Sequence, residues 1–493
     1  MPAAYVSDFD SQSLGITSNQ LFCALVGALG SVNFGWNIGV TNVPGDVITK
    51  CVTGPRHFDE RLPSCIPMND TTWGIVVGCL ALGSMIGALS STPFSNRYGR
   101  RAVLIWSNTF AIAGALIFSL ATDLAMLIVG RVLIGIAVGA ANGTFTTYVV
   151  EISTPKARNT LGAMTQMAIA FGIMLSQTVS LGMSRPPVWR VLFAATGVLS
   201  MISMAALTRC VESPRWLLMH HRTGEARHAL EQLRRGADCT IEFEKMVGDA
   251  QEEMGSHAYS ASITDVLLGR TPDNLRHQLM VVAAMMILQQ GSGICAVSFY
   301  STSIFELVTN DNPASVPTMA QVLTAILAIV AAVMTFVGMM LAGYLGRRTL
   351  MLVSHGAMGA SCLLISIGSI KGVAMLTIAM VFVYYSFFVI GSGPIPWLTC
   401  SELTPTYAVA AFSAIGGSIN YILIFTVGLG FAPMQAALGS YTFLLFAAIN
   451  FFGFFFCLLF LPETKDHCTA DVVRTHSVGI HSVLKAQYRI TKG

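Results

Sequence analysis

Two adjacent amides, Gln289 and Gln290, close an apolar run that begins near Met280. Gly291-Ser292-Gly293-Ile294-Cys295-Ala296-Val297-Ser298-Phe299-Tyr300 follows them. An amide without a partner in hydrocarbon costs about 2–7 kcal/mol. Such groups persist in a membrane only where they face a partner or a water-filled cavity. Two chemistries fit the pair. It ties helices together, or it lines a cavity for a neutral, hydroxyl-rich solute that amides can bond without a charge mismatch. A Gln pair heading a Gly/Ser-rich stretch favours the cavity wall. No nucleophile–base constellation and no metal-type Cys/His spacing stands out, so the expectation is neither an enzyme nor a protein with a metal or cofactor.

The elements that must position these amides lie in a bilayer. Of 493 residues, 54% are hydrophobic and only 11% charged, with a mean hydropathy of +0.65. A soluble domain carries about 25% charged residues. The net charge of +3 gives no reason to expect nucleic acid. A crossing helix needs about 20 apolar residues. Runs of that order fall at 21–43, 72–94, 102–120, 125–148, 161–181 and 191–207, and again at 279–299, 320–341, 350–370, 374–399, 411–431 and 441–461. The expected fold is therefore an all-α membrane protein of about twelve transmembrane helices in two six-helix halves, with short cytoplasmic helices between them. The expected divisions are an N-terminus at 1–20, one half at 21–211, a helical linker at 212–276, the other half at 277–461 and a tail at 462–493. Within the linker, Gly224 to Arg235 reads as an amphipathic helix ending at Gly236, with Ala226, Ala229, Leu230 and Leu233 as its apolar stripe.

Lysines and arginines concentrate in alternate loops, which by the positive-inside bias places both termini and the linker in the cytoplasm. The loop Pro44 to Asp70 then lies on the far side. It holds Cys51 and Cys65, which can pair in an oxidising compartment. It also holds Asn69-Asp70-Thr71, an N-glycosylation acceptor pattern.

Three patterns occur twice in the same order. Gly99-Arg100-Arg101 returns 247 residues later as Gly346-Arg347-Arg348. Glu151-Ile152-Ser153-Thr154-Pro155 returns as Glu402-Leu403-Thr404-Pro405, and Glu212-Ser213-Pro214-Arg215 loosely as Glu463-Thr464-Lys465, each glutamate offset by 251. Three matches in register describe two halves of like orientation about a pseudo-two-fold axis, with a solute site between them at mid-membrane. Moved back by about one repeat, the Gln pair falls near Asn37, another amide in an apolar run.

These motifs, in this order, resemble the sugar-porter branch of the major facilitator superfamily, and most of all the facilitative glucose transporters. The resemblance spans nearly the whole chain. It rests on Phe34-Gly35-Trp36-Asn37-Ile38-Gly39-Val40-Thr41-Asn42, Asn96-Arg97-Tyr98-Gly99-Arg100-Arg101, Gly130-Arg131, Glu151 with Arg158, Glu212-Ser213-Pro214-Arg215-Trp216, the Gln289 stretch, Gly393-Pro394-Ile395-Pro396-Trp397 and Pro462-Glu463-Thr464-Lys465. By this resemblance the solute site holds Gln166, Gln289, Gln290, Trp397 and Asn420, with Asn37 and Cys295 beside them. Amides supply neutral donors and acceptors, and an indole supplies a face for C–H surface. The plainer readings are interhelical bonding for Gln166 and Asn420 and a membrane-interface anchor for Trp397. Three positions depart from the family pattern. Cys295 stands where the seventh span usually has Asn, Ala331 near an eighth-span Asn, and Val389 at a tenth-span Glu.

No Asp or Glu falls in the middle of a span. Proton-coupled sugar porters typically carry a first-span Asp near a fourth-span Arg; here the position looks like Asn37, while the intramembrane Arg131 is kept. The resemblance thus implies facilitative, uniport movement of a hexose or similar neutral polyol by alternating access. The alternatives are a proton-coupled symporter and a non-transporting sugar sensor, the latter disfavoured by a short tail. His355 reads as a surface group near the cytoplasmic end of the ninth span. Arg97, Arg101, Glu151, Arg158 and Glu212, with Arg348, Glu402 and Glu463 in the second half, read as a cytoplasmic gate of ion pairs between the halves. Val409 stands where the repeat would give Glu402 an Arg, which predicts a weaker second-half latch. The expected partners are a small sugar and the lipid bilayer, the expected state a monomer, and the default location the plasma membrane, with vacuolar or endosomal membranes as alternatives.

Overall fold

The protein is seen as a computed structural model that describes residues 15–51, 62–154, 156–157, 161–235, 237–255, 262–271, 273, 275–306, 309, 318–405 and 407–463. Helices and their connecting turns make up these residues, and none forms a strand. The first half contributes six long helices: Ser18–Gly39, Asp70–Tyr98, Arg100–Ser119, Leu124–Ile152, Met164–Met183 and Trp189–Leu207. In the second half the seventh helix is broken, Arg276–Gly291 resuming as Ile294–Glu306. The eighth is Met319–Tyr344 and the ninth Arg347–Ile370. The tenth runs Ala374–Phe387, passes through a π-helical turn at Phe388–Ser392 and continues as Ile395–Glu402. Val409–Phe460 is one apolar stretch of 52 residues. It divides at Gly439, whose φ is +54°, into the eleventh helix Val409–Leu438 and the twelfth Thr442–Phe460. With the break, the π turn and this division counted inside their spans, twelve membrane helices result, as the apolar runs predict.

Local chemistry sets the ends. Thr17 with Gln20 and Thr318 with Gln321 form capping boxes on the first and eighth helices. The second helix outruns its apolar segment at both ends. Asn69 caps it by accepting from the Thr72 N–H at 2.7 Å, and it stops only at Gly99, whose φ of +100° disfavours other residues. The Asn69 amide of the glycosylation pattern is thus a helix cap, on an exposed residue. Inside the first half, Gly83 on the second helix and Gly135 on the fourth pack backbone to backbone. A Cβ on Gly135 would overlap Leu80 O and sit 2.9 Å from Gly83 Cα. Lipid offers no hydrophobic drive between helices, so such close packing of small residues has to supply the attraction.

Four short helices join the halves: Pro214–Met219, Thr223–Arg234, Thr240–Gly255 and Ile263–Leu268. The expected stripe of Ala226, Ala229, Leu230 and Leu233 is buried. The second of these helices ends one residue sooner than predicted, because Arg235 itself takes the left-handed conformation at φ +53°. The linker is fastened to the first half. Thr17 Oγ1 donates to Leu233 O at 2.5 Å, and Arg234, paired with Glu242, also donates to Ile152 O at 3.0 Å. On the opposite face Cys51 and Cys65 form a disulfide. Trp189 Nε1 donates to Ser64 O at 2.8 Å and Arg190 Nη2 to Pro63 O at 2.7 Å, which stitches this loop to the sixth helix.

Gly135→Val is expected to destabilise the purified protein by about 1–3 kcal/mol through overpacking. The check is a lowered thermal midpoint in detergent; an unchanged midpoint would mean that the second and fourth helices do not depend on this contact.

Candidate solute-binding site

The seventh helix breaks because Gly291-Ser292-Gly293 cannot hold it. Gly293 has φ +98°, and a Cβ there would lie 2.7 Å from the Phe446 ring, so both backbone and space require glycine. Gln289 and Gln290 form the last turn before the break, and both are buried. The tenth helix is interrupted opposite them. Pro396 has no N–H to offer the carbonyl four residues earlier, at Ser392. Gln289 Nε2 takes that place, donating to Ser392 O at 2.9 Å and to Gly393 O at 2.5 Å. Asn420 of the eleventh helix joins the pair, donating to Gln289 Oε1 at 2.5 Å and accepting from Gln290 Nε2 at 3.2 Å. Cys295, just past the break, donates to Gln290 Oε1 at 2.9 Å. Four of the residues expected at the site, Gln289, Gln290, Asn420 and Cys295, are therefore one hydrogen-bonded chain.

Three others stand apart from it. Gln166 is half-buried on the fifth helix, and its amide meets no donor or acceptor among the described residues. Trp397 is 41% exposed, with its ring over Gly417. Asn37 does not face the Gln pair. It is fully buried in a network of the first half, donating to Asn33 O at 2.9 Å and Asn33 Oδ1 at 3.0 Å and accepting from Thr196 Oγ1 at 3.3 Å. The seam position predicted for Asn37 is thus corrected. The first helix runs unbroken from Ser18 to Gly39, and the Asn37 amide turns toward the sixth. Arg131 is fully buried beside it and donates to Asn37 O at 3.0 Å, with Val76 O and Val77 O at 3.4 and 3.5 Å. The acceptors of this guanidinium are backbone carbonyls, and the Cys79 thiol lies nearby.

The sequence reading missed several polar groups, of which Asn42, the last residue of the first-span motif, is the clearest. Asn42 Nδ2 donates to Ser298 O at 3.0 Å and Ser301 Oγ at 2.7 Å, and its Oδ1 accepts from Thr302 N at 3.2 Å. This ties the end of the first span to the seventh helix, across the halves, on the face that carries the disulfide loop. Ser298 also meets the Tyr385 hydroxyl at 3.1 Å. The signal for Asn42 was present as an amide at the end of an apolar run. His355 is fully buried between the ninth and twelfth helices, not at the surface that the sequence suggests.

The charged motifs of the opposite face form a set within each half. Arg100, not Arg97 or Arg101, is the cation that pairs with Glu151, through two bonds of 2.9 Å. Arg347, not Arg348, pairs with Glu402 at 3.2–3.3 Å through one carboxylate oxygen. Successive helical residues point about 100° apart. Arg101 and Arg348 therefore turn to the sixth and twelfth helices and donate to terminal carbonyls, at Thr208 O and Leu458 O, each at 2.6 Å. Arg97 lies over the Tyr98 ring. Glu212 accepts from the backbone N–H groups of Arg100, Arg101 and Ser213, and Glu463 from that of Arg347. Each carboxylate thus caps the positive end of a helix. A Cβ on Gly99 or Gly346 would overlap these carboxylates, which explains the glycine in both motifs. Burial raises the Glu212 carboxyl above its usual range, against the pull of the three N–H groups. Arg158 lies outside the described residues. The gate expected between the halves is thus corrected: Glu151 and Glu402 pair with Arg100 and Arg347 of their own halves, and the bonds of Arg101, Glu212, Arg348 and Glu463 described above also stay within one half.

A family profile described as "Sugar (and other) transporter" matches residues 23–472. The chain belongs to this family. It is 31% identical over 481 residues to facilitated glucose transporter member 3 of Rattus norvegicus, covering 95% of this chain and 94% of the relative. It is 31% identical over 482 residues to member 4 of Homo sapiens, covering 94% and 92%. Among solved structures, the partially occluded, inward-open xylose transporter XylE from E. coli superposes with a TM-score of 0.73 at 20% identity, over 92% of this chain and all of that one (100%). That likeness shows that the fold is shared over nearly the whole chain.

Glu151→Gln leaves the buried Arg100 without its charge partner and is expected to cost about 3–5 kcal/mol. Glu402→Gln, at the more exposed pair, should cost less. Thermal midpoints of the two purified variants check the order, and equal losses would contradict it.

Proposed function

We propose that this protein is a facilitative transporter of a hexose or similar neutral polyol, working by alternating access of one central site to the two faces. The observation that carries the reading is the neutral amide chain of Gln289, Gln290, Asn420 and Cys295 at facing helix breaks. Gln166 and Trp397 stand free of that chain and complete the site from the fifth and tenth helices. The relatives named as glucose transporters support the solute class.

Uniport is favoured by the surroundings of Arg131. It donates to carbonyls, one of them that of the neutral Asn37, and among the described residues no carboxylate there offers a proton to the transport cycle. One observation favours the proton-coupled alternative: His355 is a titratable group buried within a span. The basic face is taken as cytoplasmic, with both termini there, in a plasma-membrane monomer. The Asn42 tie closes the opposite face, so the arrangement reads as inward-facing.

The three departures from the family pattern, Cys295, Ala331 and Val389, lie in one apolar cluster. Apolar groups at these three positions suit a solute with fewer hydroxyls than glucose offers. Cys295→Asn should therefore improve apparent glucose affinity by about three- to tenfold, the worth of one added hydrogen bond. Competition against labelled substrate is the measurement, and unchanged glucose affinity would argue that Cys295 does not set selectivity.

The function itself is tested by uptake into proteoliposomes across hexoses, pentoses, inositol and dehydroascorbate, with and without a pH gradient. Saturable uptake indifferent to the gradient is expected; collapse without the gradient would establish symport. Gln166→Ala should abolish saturable uptake, and wild-type affinity in that variant would remove Gln166 from the site.

A further inference from the structure

His355 on the ninth helix is fully buried, and the transport reading gives it no part. Its Nδ1 lies 3.1 Å from Asn450 Oδ1 on the twelfth helix. Asn450 Nδ2 donates to Phe446 O at 2.8 Å and to Ser292 O at 3.1 Å. With the amide hydrogens committed there, Oδ1 faces the ring as acceptor, which assigns the proton to His355 Nδ1. His355 Nε2 has no partner among the described residues. Ser292 O is a carbonyl set free by the seventh-helix break, and the Tyr384 hydroxyl is its other donor, at 2.9 Å. Ser292 Oγ in turn donates to Gln289 O at 2.7 Å. A chain of contacts thus runs from His355 through Asn450 to the backbone of Ser292, whose own hydroxyl bonds the main-chain oxygen of Gln289.

The first half holds a simpler version. Asn108 precedes His355 by 247 residues, the offset of the Gly-Arg-Arg motifs. It reaches from the third helix to Ser203 of the sixth at 3.3 Å. Joining two helices at this position therefore needs only a neutral amide and a hydroxyl. The second-half pair does more, because its Asn450 extends to the break beside the site.

We propose that His355 is a positioning residue for solute binding. By donating to Asn450 it fixes the amide orientation that holds Ser292 O, and so holds Gln289 and Gln290 in place for the solute. This rests on the reading of the glutamine pair as a solute site.

The test uses the full chain in proteoliposomes with D-glucose and D-fructose as probes. His355→Asn keeps a donor near the Nδ1 position, and His355→Leu removes it. Asn450→Asp keeps an acceptor for His355 but has no N–H for Ser292. His355→Asn should hold KM within about twofold of wild type. His355→Leu and Asn450→Asp should each raise KM roughly five- to tenfold with Vmax within about twofold, as loss of one hydrogen bond's worth of positioning predicts. The double variant should be no worse than either single one, since both cut the same path. Wild-type KM in His355→Leu or Asn450→Asp, or additive effects in the double variant, would overturn the proposal. So would a lowered melting temperature with unchanged KM, the pattern of a packing role. If His355→Leu fails to fold, Asn450→Asp carries the same comparison. Absence of saturable uptake by the wild-type protein of both hexoses and of the pentoses and inositol tested above would instead strike the solute reading itself.

Discussion

A backbone carbonyl that loses its helical partner inside hydrocarbon must find another donor, at a cost of several kcal/mol if it does not. The second half of this protein breaks two helices and then uses each break to satisfy the other. Pro396 removes the N–H due to Ser392 O, and Gln289 supplies one from the seventh helix. The break at Gly291-Ser292-Gly293 frees Ser292 O, and Tyr384 and Asn450 supply donors from the tenth and twelfth. Polar side chains collect at this level because the broken backbone needs them. The same requirement orders the charged face, where Arg101 and Arg348 end the sixth and twelfth helices by donating to their last carbonyls.

The halves meet this constraint differently. The first surrounds a buried cation with carbonyls, so that Arg131 fastens the fourth helix to the first and second. Among the described residues, the second half carries no buried arginine or lysine at the matching level and relies on amides and hydroxyls. Its ion pair is also looser. Arg347 shares one oxygen of Glu402, whereas Arg100 grips both oxygens of Glu151. Bidentate geometry is the stronger arrangement. The less tightly bound half is the one with the broken helices.

Much of this was legible because it follows from composition and repetition. Twelve apolar runs gave twelve helices, and the glutamine pair met Asn420 and Cys295 as the family resemblance implied. The errors share a cause, which is direction. A sequence shows that Arg100 and Arg101 are adjacent but not that one faces the fourth helix and the other the sixth. It shows Asn37 in an apolar run but not that the amide turns to Thr196. His355 looked superficial because polarity near a helix end suggests exposure; its partner Asn450 lies 95 residues on, too far for local pattern to reveal.

On the transport reading, the bonding of Gln289 links solute to conformation. Its Nε2 is engaged by two carbonyls of the tenth helix and its Oε1 by Asn420. A solute hydroxyl that reaches Gln289 has to replace or share one of these partners, and the partner it displaces belongs to a helix break. Binding at the site then changes how the seventh, tenth and eleventh helices hold one another. A ligand shifts a conformational equilibrium only by its differential affinity for the states. Here the difference arises where solute and backbone compete for the same amide, so the groups that stabilise the broken helices are also those that let a neutral solute act on them.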